Sequence, residues 1–246
     1  MVVDFHVVVA PVMEKRGAIL ARACVEHDAI DRYCQGDEMK ITKWNAIHAA
    51  AASGALAMPF PAHAHHAMEG ALPGNLTQGF LSGLAHPVIG LDHFLFVIAL
   101  GVFCFYVGRR AGAVAAFVGG TLAGTGLHLY QANLAYPDAW VALTLVALGA
   151  LMLARGTMLK STGVLAFLGL AGIAHGYAYG ESIVGAEATP LVAYLAGYTL
   201  IQLAVVYATF AAARYLDRKR PAFQGARALG AMVSVAGVAF LAVSMG

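Results

Sequence analysis

Six long apolar runs follow residue 64, at about 77–107, 111–131, 138–155, 160–180, 189–213 and 227–245, and short loops separate them. A helix needs about 20 apolar residues to cross the hydrocarbon of a bilayer. The pattern predicts an all-α fold, a polytopic membrane protein with six transmembrane helices. Only 11% of the 246 residues are charged, against about a quarter in a soluble domain. That deficit excludes a surface facing water on all sides, so the outer solvent is lipid. The 28 glycines suit close helix packing in a bilayer. Pro87 interrupts the first run, which is expected to open with a short tilted or re-entrant piece.

The segment before the runs reads as a leader. Lys40 and Lys43 form a basic stretch, Ala46 to Met58 is apolar, and Ala62-His63-Ala64 offers a small-x-small cleavage site. This is the pattern of a secretory signal peptide over 39–64, with cleavage after Ala64 and His65 as the mature N-terminus. Residues 1–38 are then an upstream extension outside the mature protein, and 65–246 form the transmembrane domain. An uncleaved anchor at 44–58 is the alternative.

Charge orients the bundle. Every Lys or Arg after residue 64 falls in one of three places: Arg109–Arg110, Arg155 with Lys160, or Arg214 through Arg227. These are alternate loops and share one side, which the positive-inside rule assigns to the cytoplasm. The opposite loops carry Glu69, Asp138, Glu181 and Glu187 and no basic residue. The mature N-terminus and the C-terminus are therefore expected outside, in agreement with signal cleavage.

Ionisable groups within hydrocarbon are costly and usually face a cavity or one another. Here they share a depth. His86, Asp92 and His93 lie in the outer half of the first run; His128 is near the outer end of the second, and His175 near that of the fourth, followed by Glu181. His65, His66 and Glu69 precede the first run on the same side. Imidazole nitrogen and carboxylate oxygen are the donors expected for nickel, cobalt or zinc. After cleavage, the α-amine of His65 with His66 and Glu69 makes a capture site at the entrance, although the same residues read equally as a solvated terminus. His128, alone on its span, reads equally as a helix–helix hydrogen-bonding residue.

In His86-Pro87-x-x-Gly90-x-Asp92-His93, proline disfavours the α conformation at the preceding residue, which puts His86 at a helix break. His86 and His93 would lie about 10 Å apart along an unbroken helix, too far to chelate one ion. Either the break shortens that distance or the two mark successive stations. Asp92 either orients a ligating histidine or ligates directly. In His175-Gly176-Tyr177-Ala178-Tyr179-Gly180-Glu181, His175 and Tyr179 share a face, while Tyr177 reads best as an interfacial belt aromatic. Cys24, Cys34 and Cys104 form no CxxC, so no thiolate site is expected.

At HPVIGLDHFLFVIALGV, residues 86–102, and HGYAYGE, residues 175–181, the chain resembles the HupE/UreJ family of nickel and cobalt permeases, over about 64–246 in span order. The resemblance implies import of Ni2+ or Co2+ across a bacterial inner membrane, with no permanently bound cofactor and no enzymatic activity. His86, Asp92, His93, His175 and Glu181 are the residues it carries over. The family often has histidine where this chain has Tyr179, a departure that removes one ligand. The expected partners are a divalent metal ion and the lipid bilayer, with no nucleic acid. No P-loop is present, so ATP is not used by this chain. The small-residue spacing in GGTLAG at 119–124 fits a homo-oligomer as well as contacts within one bundle. The rival readings are an intramembrane zinc hydrolase, for which no HExxH and no serine in a catalytic pattern are found, and a b-type cytochrome.

Overall fold

The computed structural model describes residues 71–108, 110–154, 161–219 and 225–246. The extension at 1–38, the signal peptide at 39–64, and His65, His66 and Glu69 lie outside the described residues. Every regular element among the described residues is an α-helix: α1 (Leu76–Ile89), α2 (Leu91–Val107), α3 (Arg110–Leu129), α4 (Pro137–Leu153), α5 (Thr162–Glu181), α6 (Ala188–Lys219) and α7 (Gly225–Met245). Four of them, α3, α5, α6 and α7, are long and apolar enough to cross a membrane. Their outward faces carry large apolar side chains such as Leu170, Val192, Leu200 and Val235, as lipid contact requires.

The first apolar run is two helices, and the break is not where the proline rule put it. Pro87 lies inside α1, and the chain turns by 80° at Gly90, three residues further on. The local chemistry explains the position. Gly90 N–H still closes α1 on His86 O at 3.1 Å, while Gly90 O accepts from Phe94 N at 2.8 Å to open α2. Asp92 accepts the His93 backbone N–H at 2.8 Å, one of the donors left unpaired in a first helical turn. A Cβ at residue 90 would stand 2.6 Å from His93 Cδ2, so the corner has room only for glycine. At its other end α2 stops at Gly108, whose φ of 72° is the left-handed conformation glycine adopts at no steric cost.

Glycines also set the helix pairs. Side chains at Gly79 and Gly83 of α1 would strike the backbone at Pro190 and Tyr194 of α6; at Gly172 and Gly176 of α5, that at Phe117 and Thr121 of α3; at Gly149 of α4, Ser234 and the Gly230 backbone of α7. Residue numbers rise together in the first two pairs and run oppositely in the third. Hence α1 is parallel to α6, α3 parallel to α5, and α4 antiparallel to α7. Backbones brought this close gain dispersion contacts along the whole seam, the term that holds helices together where lipid is as apolar as the side chains.

The interior has two parts. One is an apolar core built around Phe96, Leu100, Phe117, Leu145, Leu148 and Leu168, extending to Phe210 and Val233. The other is a smaller cluster of Tyr179, Ile183, Tyr194 and Tyr198. The histidines lie where the two meet.

Candidate functional site

The bend at Gly90 folds the end of α1 over the start of α2. It brings the rings of His86 and His93 to 5.9 Å between centroids, well inside the spacing a straight helix would impose. His175, from α5, stands 4.9 Å from the His93 ring. All three are buried, His175 completely. Tyr179, one turn beyond His175, closes the group from the side, with its ring 5.1 Å from His86 and 4.6 Å from His93. The stacked pair Phe96 and Phe117 underlies His175, at 4.5 Å and 5.6 Å.

The hydrogen bonds of Thr144 favour one tautomer of His175. Thr144, on α4, donates its hydroxyl proton to Val141 O at 2.7 Å. Its oxygen lies 3.0 Å from His175 Nε2. With the Thr144 proton committed, Nε2–H of His175 donates to that oxygen, and Nδ1 keeps a lone pair. That lone pair faces His93 Nδ1 at 2.8 Å. The two imidazoles are thus joined head to head by one proton, held by His93.

His86 is fixed in a similar way. Tyr194 OH donates to Tyr179 O at 2.8 Å. Ser182 Oγ lies 3.2 Å from that carbonyl, 2.9 Å from Tyr194 OH and 3.0 Å from His86 Nδ1. A Ser182 proton directed to either of the first two leaves its oxygen to accept Nδ1–H from His86. In this arrangement the His86 lone pair is on Nε2. The polarity is opposite to that of a serine nucleophile, whose proton must pass to the histidine.

The other expected residues are placed differently. Asp92 is buried against the start of α2. Glu181 ends α5 with an exposed side chain. His128 is half-buried and donates Nδ1–H to Tyr177 O at 2.9 Å, its ring 4.3 Å from that of Tyr177. It joins α3 to α5, the second of its two sequence readings. Tyr177 is not a belt residue facing lipid. Its hydroxyl donates to Ala132 O at 2.7 Å and accepts from Leu134 N at 3.1 Å, which pins the connection between α3 and α4. Among the described residues no three His, Cys, Asp or Glu side chains are placed to hold one metal ion together. Sequence reasoning missed Thr144, Ser182 and Tyr194, whose hydroxyls orient the histidines. A threonine or serine in an apolar run carries no period or motif that would mark it.

The sequence pattern of the family described as HupE / UreJ protein matches residues 53–240. The chain belongs to the HupE/UreJ family. Protein HupE of Rhizobium leguminosarum bv. viciae is 32% identical over 195 residues, which cover 76% of this chain and 93% of that relative. No solved structure matches. The matched region takes in the first six helices and most of α7, so the bend at Gly90, the three histidines and the glycine seams all lie within it.

Proposed function

We propose that the chain is a secondary permease that carries a divalent transition metal ion, nickel or cobalt, across a bacterial inner membrane. The observation that carries this reading is the buried pair His93 and His175, with Nδ1 atoms 2.8 Å apart. Two imidazole nitrogens aimed at each other can share one proton or ligate one metal ion. A metal bonded to imidazole at about 2.1 Å holds two adjacent octahedral ligands about 3.0 Å apart. The spacing of the two nitrogens therefore suits adjacent positions on one ion once both rings turn their lone pairs toward it. Both nitrogens must be deprotonated to ligate, and Thr144 already holds His175 in that form.

His86 stands beside this pair, and Tyr179, Phe96 and Phe117 pack around it. The helix directions support six spans. A chain crossing six times in alternation makes its first and fifth spans parallel, its second and fourth parallel, and its third and sixth antiparallel. The pairs α1·α6, α3·α5 and α4·α7 have these directions when α1 and α2 count as one bent span. The 17 residues of α4 fall at the short end of the spanning range. On this reading the basic residues at the far end of α6 mark the cytoplasmic side, the histidines face the periplasm, the signal peptide is removed and both termini lie outside. An inside-negative potential then favours entry of a divalent ion by about 4.6 kcal/mol per 100 mV.

Cells lacking their own nickel and cobalt importers provide the test. Expression of this chain is expected to restore accumulation of both labelled ions, and the His93→Ala variant to abolish it. Equal accumulation with and without the chain would remove the proposal.

A further inference from the structure

The glycine seams divide the bundle into three units. Among the described residues, every glycine whose added Cβ would come under 3.0 Å from another helix meets a helix of its own set: α1 and α2 with α6, α3 with α5, and α4 with α7. Gly101 joins α2 to α6 at Val206, and Gly197 joins α6 back to α1 at Phe80. Gly120 and Gly124 lengthen the seam between α3 and α5, and Gly237 that between α4 and α7. None of these approaches links one set to another.

What lies between the units is of a different kind, the ends of side chains. His93 of the first unit reaches His175 of the second, Nδ1 to Nδ1, at 2.8 Å. His86 reaches Ser182, just past α5, at 3.0 Å, and Tyr198 reaches Thr125 at 3.2 Å. His175 in turn meets Thr144 of the third unit at 3.0 Å. Beneath His175, Phe96 of the first unit stacks on Phe117 of the second, with 4.9 Å between ring centroids.

The two kinds of contact respond differently to displacement. Parting a seam loses close backbone packing along its whole length, and no change of rotamer can follow the backbone to restore it. Side-chain ends keep or exchange partners while the helices that carry them shift by an ångström or two, and packed interfaces of this kind switch between discrete arrangements.

We infer that the three seamed units move as rigid bodies, that transport rocks α3 and α5 against α1, α2 and α6 about the histidine layer, and that Phe96 with Phe117 is the contact that parts to let the ion inward. The inference rests on the permease reading and gives it a moving interface. A ligand shifts a conformational equilibrium only by its differential affinity for the two states. An ion bonded to His93 and His175 has that difference, because the two nitrogens belong to different units and converge only when the units' outer ends are together. Rocking about a fixed site couples closure on one side of the layer to opening on the other, so closing the outer ends spreads the inner ones.

The test places pairs of nitroxide labels at exposed inner ends of helices. The full chain is used, with Cys24, Cys34 and Cys104 replaced by alanine, in proteoliposomes. One pair spans two units: Thr162→Cys on α5 with Tyr215→Cys on α6. Two pairs lie within a unit: Ala111→Cys on α3 with Thr162→Cys on α5, and Leu153→Cys on α4 with Ala228→Cys on α7. Distances between labels are read with and without Ni2+, and Ni2+ uptake by the parental chain is read alongside. The distance between units should lengthen by more than about 2 Å when Ni2+ is added, the scale of a domain rearrangement, while both distances within units stay within about 1 Å. A distance between units that does not lengthen, with parental uptake intact, overturns the inference and leaves the permease reading standing. A shift within a unit as large as the shift between units overturns it too, since the seams would then be planes of slip. No uptake by the parental chain removes the permease reading and this inference with it.

Discussion

The two halves of the bundle are built from the same helices with opposite chemistry. Around His86, His93 and His175 the interior is aromatic and polar: Thr144 of α4 contacts His175, and Ser182, just past α5 and bonded to Tyr194 of α6, contacts His86. Beyond Phe96 and Phe117, towards the basic end of α6, the buried surface is Leu100, Phe103, Leu145, Leu148 and Leu168, with no buried charge among the described residues there. On the proposed permease reading the difference separates two tasks: one half replaces an ion's water with protein donors, and the other keeps ions from leaking. The apolar half is closely packed, so on that reading transport requires it to part while the polar half keeps its ligands ordered.

The comparison breaks most directly at His93. His93→Ala removes one Nδ1 from the buried pair and is expected to reduce nickel and cobalt uptake to background, while Leu100→Val in the apolar half should leave metal affinity unchanged. Uptake by whole cells and affinity of the purified protein check the two sides together. The next effect is at Thr144. Thr144→Val keeps the volume and deletes the acceptor that fixes the tautomer of His175. Orienting residues of this kind are typically worth about 10–100-fold in metal affinity or activity. A loss near the lower bound is expected here, with rescue by Thr144→Ser; no loss would mean that His175 is oriented by its ring packing alone.

The legibility of the molecule follows the same division. That the chain is a bundle of apolar helices could be read from run length and charge placement, because lipid imposes both. His86, His93 and His175 stood out because an imidazole in hydrocarbon is expensive and seldom incidental. The distance between His86 and His93 could not be read. It depends on a turn of 80° at Gly90, and the proline rule pointed to His86, since Pro87 is the stronger local signal. A glycine becomes a corner only when the side chains around it leave no room for a Cβ, and that is a tertiary fact. His128 illustrates the converse: its depth matched the other histidines, yet its ring nitrogen serves the backbone of a neighbouring helix. Thr144, Ser182 and Tyr194 were silent because one hydroxyl in an apolar run is common, and only its partner gives it meaning.

Smaller effects test the scaffold that brings the halves together. At Gly176 a Cβ would strike the Thr121 backbone, while at Gly126 of α3 it would meet nothing within 4 Å. Gly176→Ala forces α3 and α5 apart and should destabilise by about 1–3 kcal/mol, the usual range for overpacking. Gly126→Ala should be neutral or stabilising by up to about 1 kcal/mol, the entropy that glycine loses in a helix. Thermal unfolding of the detergent-solubilised variants separates them. Equal effects would mean that the seam is looser than its backbone spacing indicates.

The smallest effect belongs to His128. His128→Phe preserves a ring against Tyr177 and removes one hydrogen bond to Tyr177 O, a loss of about 0.5–1.5 kcal/mol. Stability should fall by that amount, and uptake should stay within about twofold because no bond ties His128 to the buried histidine pair. The variant is informative because its outcome is asymmetric. Unchanged uptake places the dehydrating donors on α2 and α5, inside the polar half. Loss of uptake with near-normal stability would bring α3 into the route, and would mean that the ion meets an imidazole at the rim before it reaches His93 and His175.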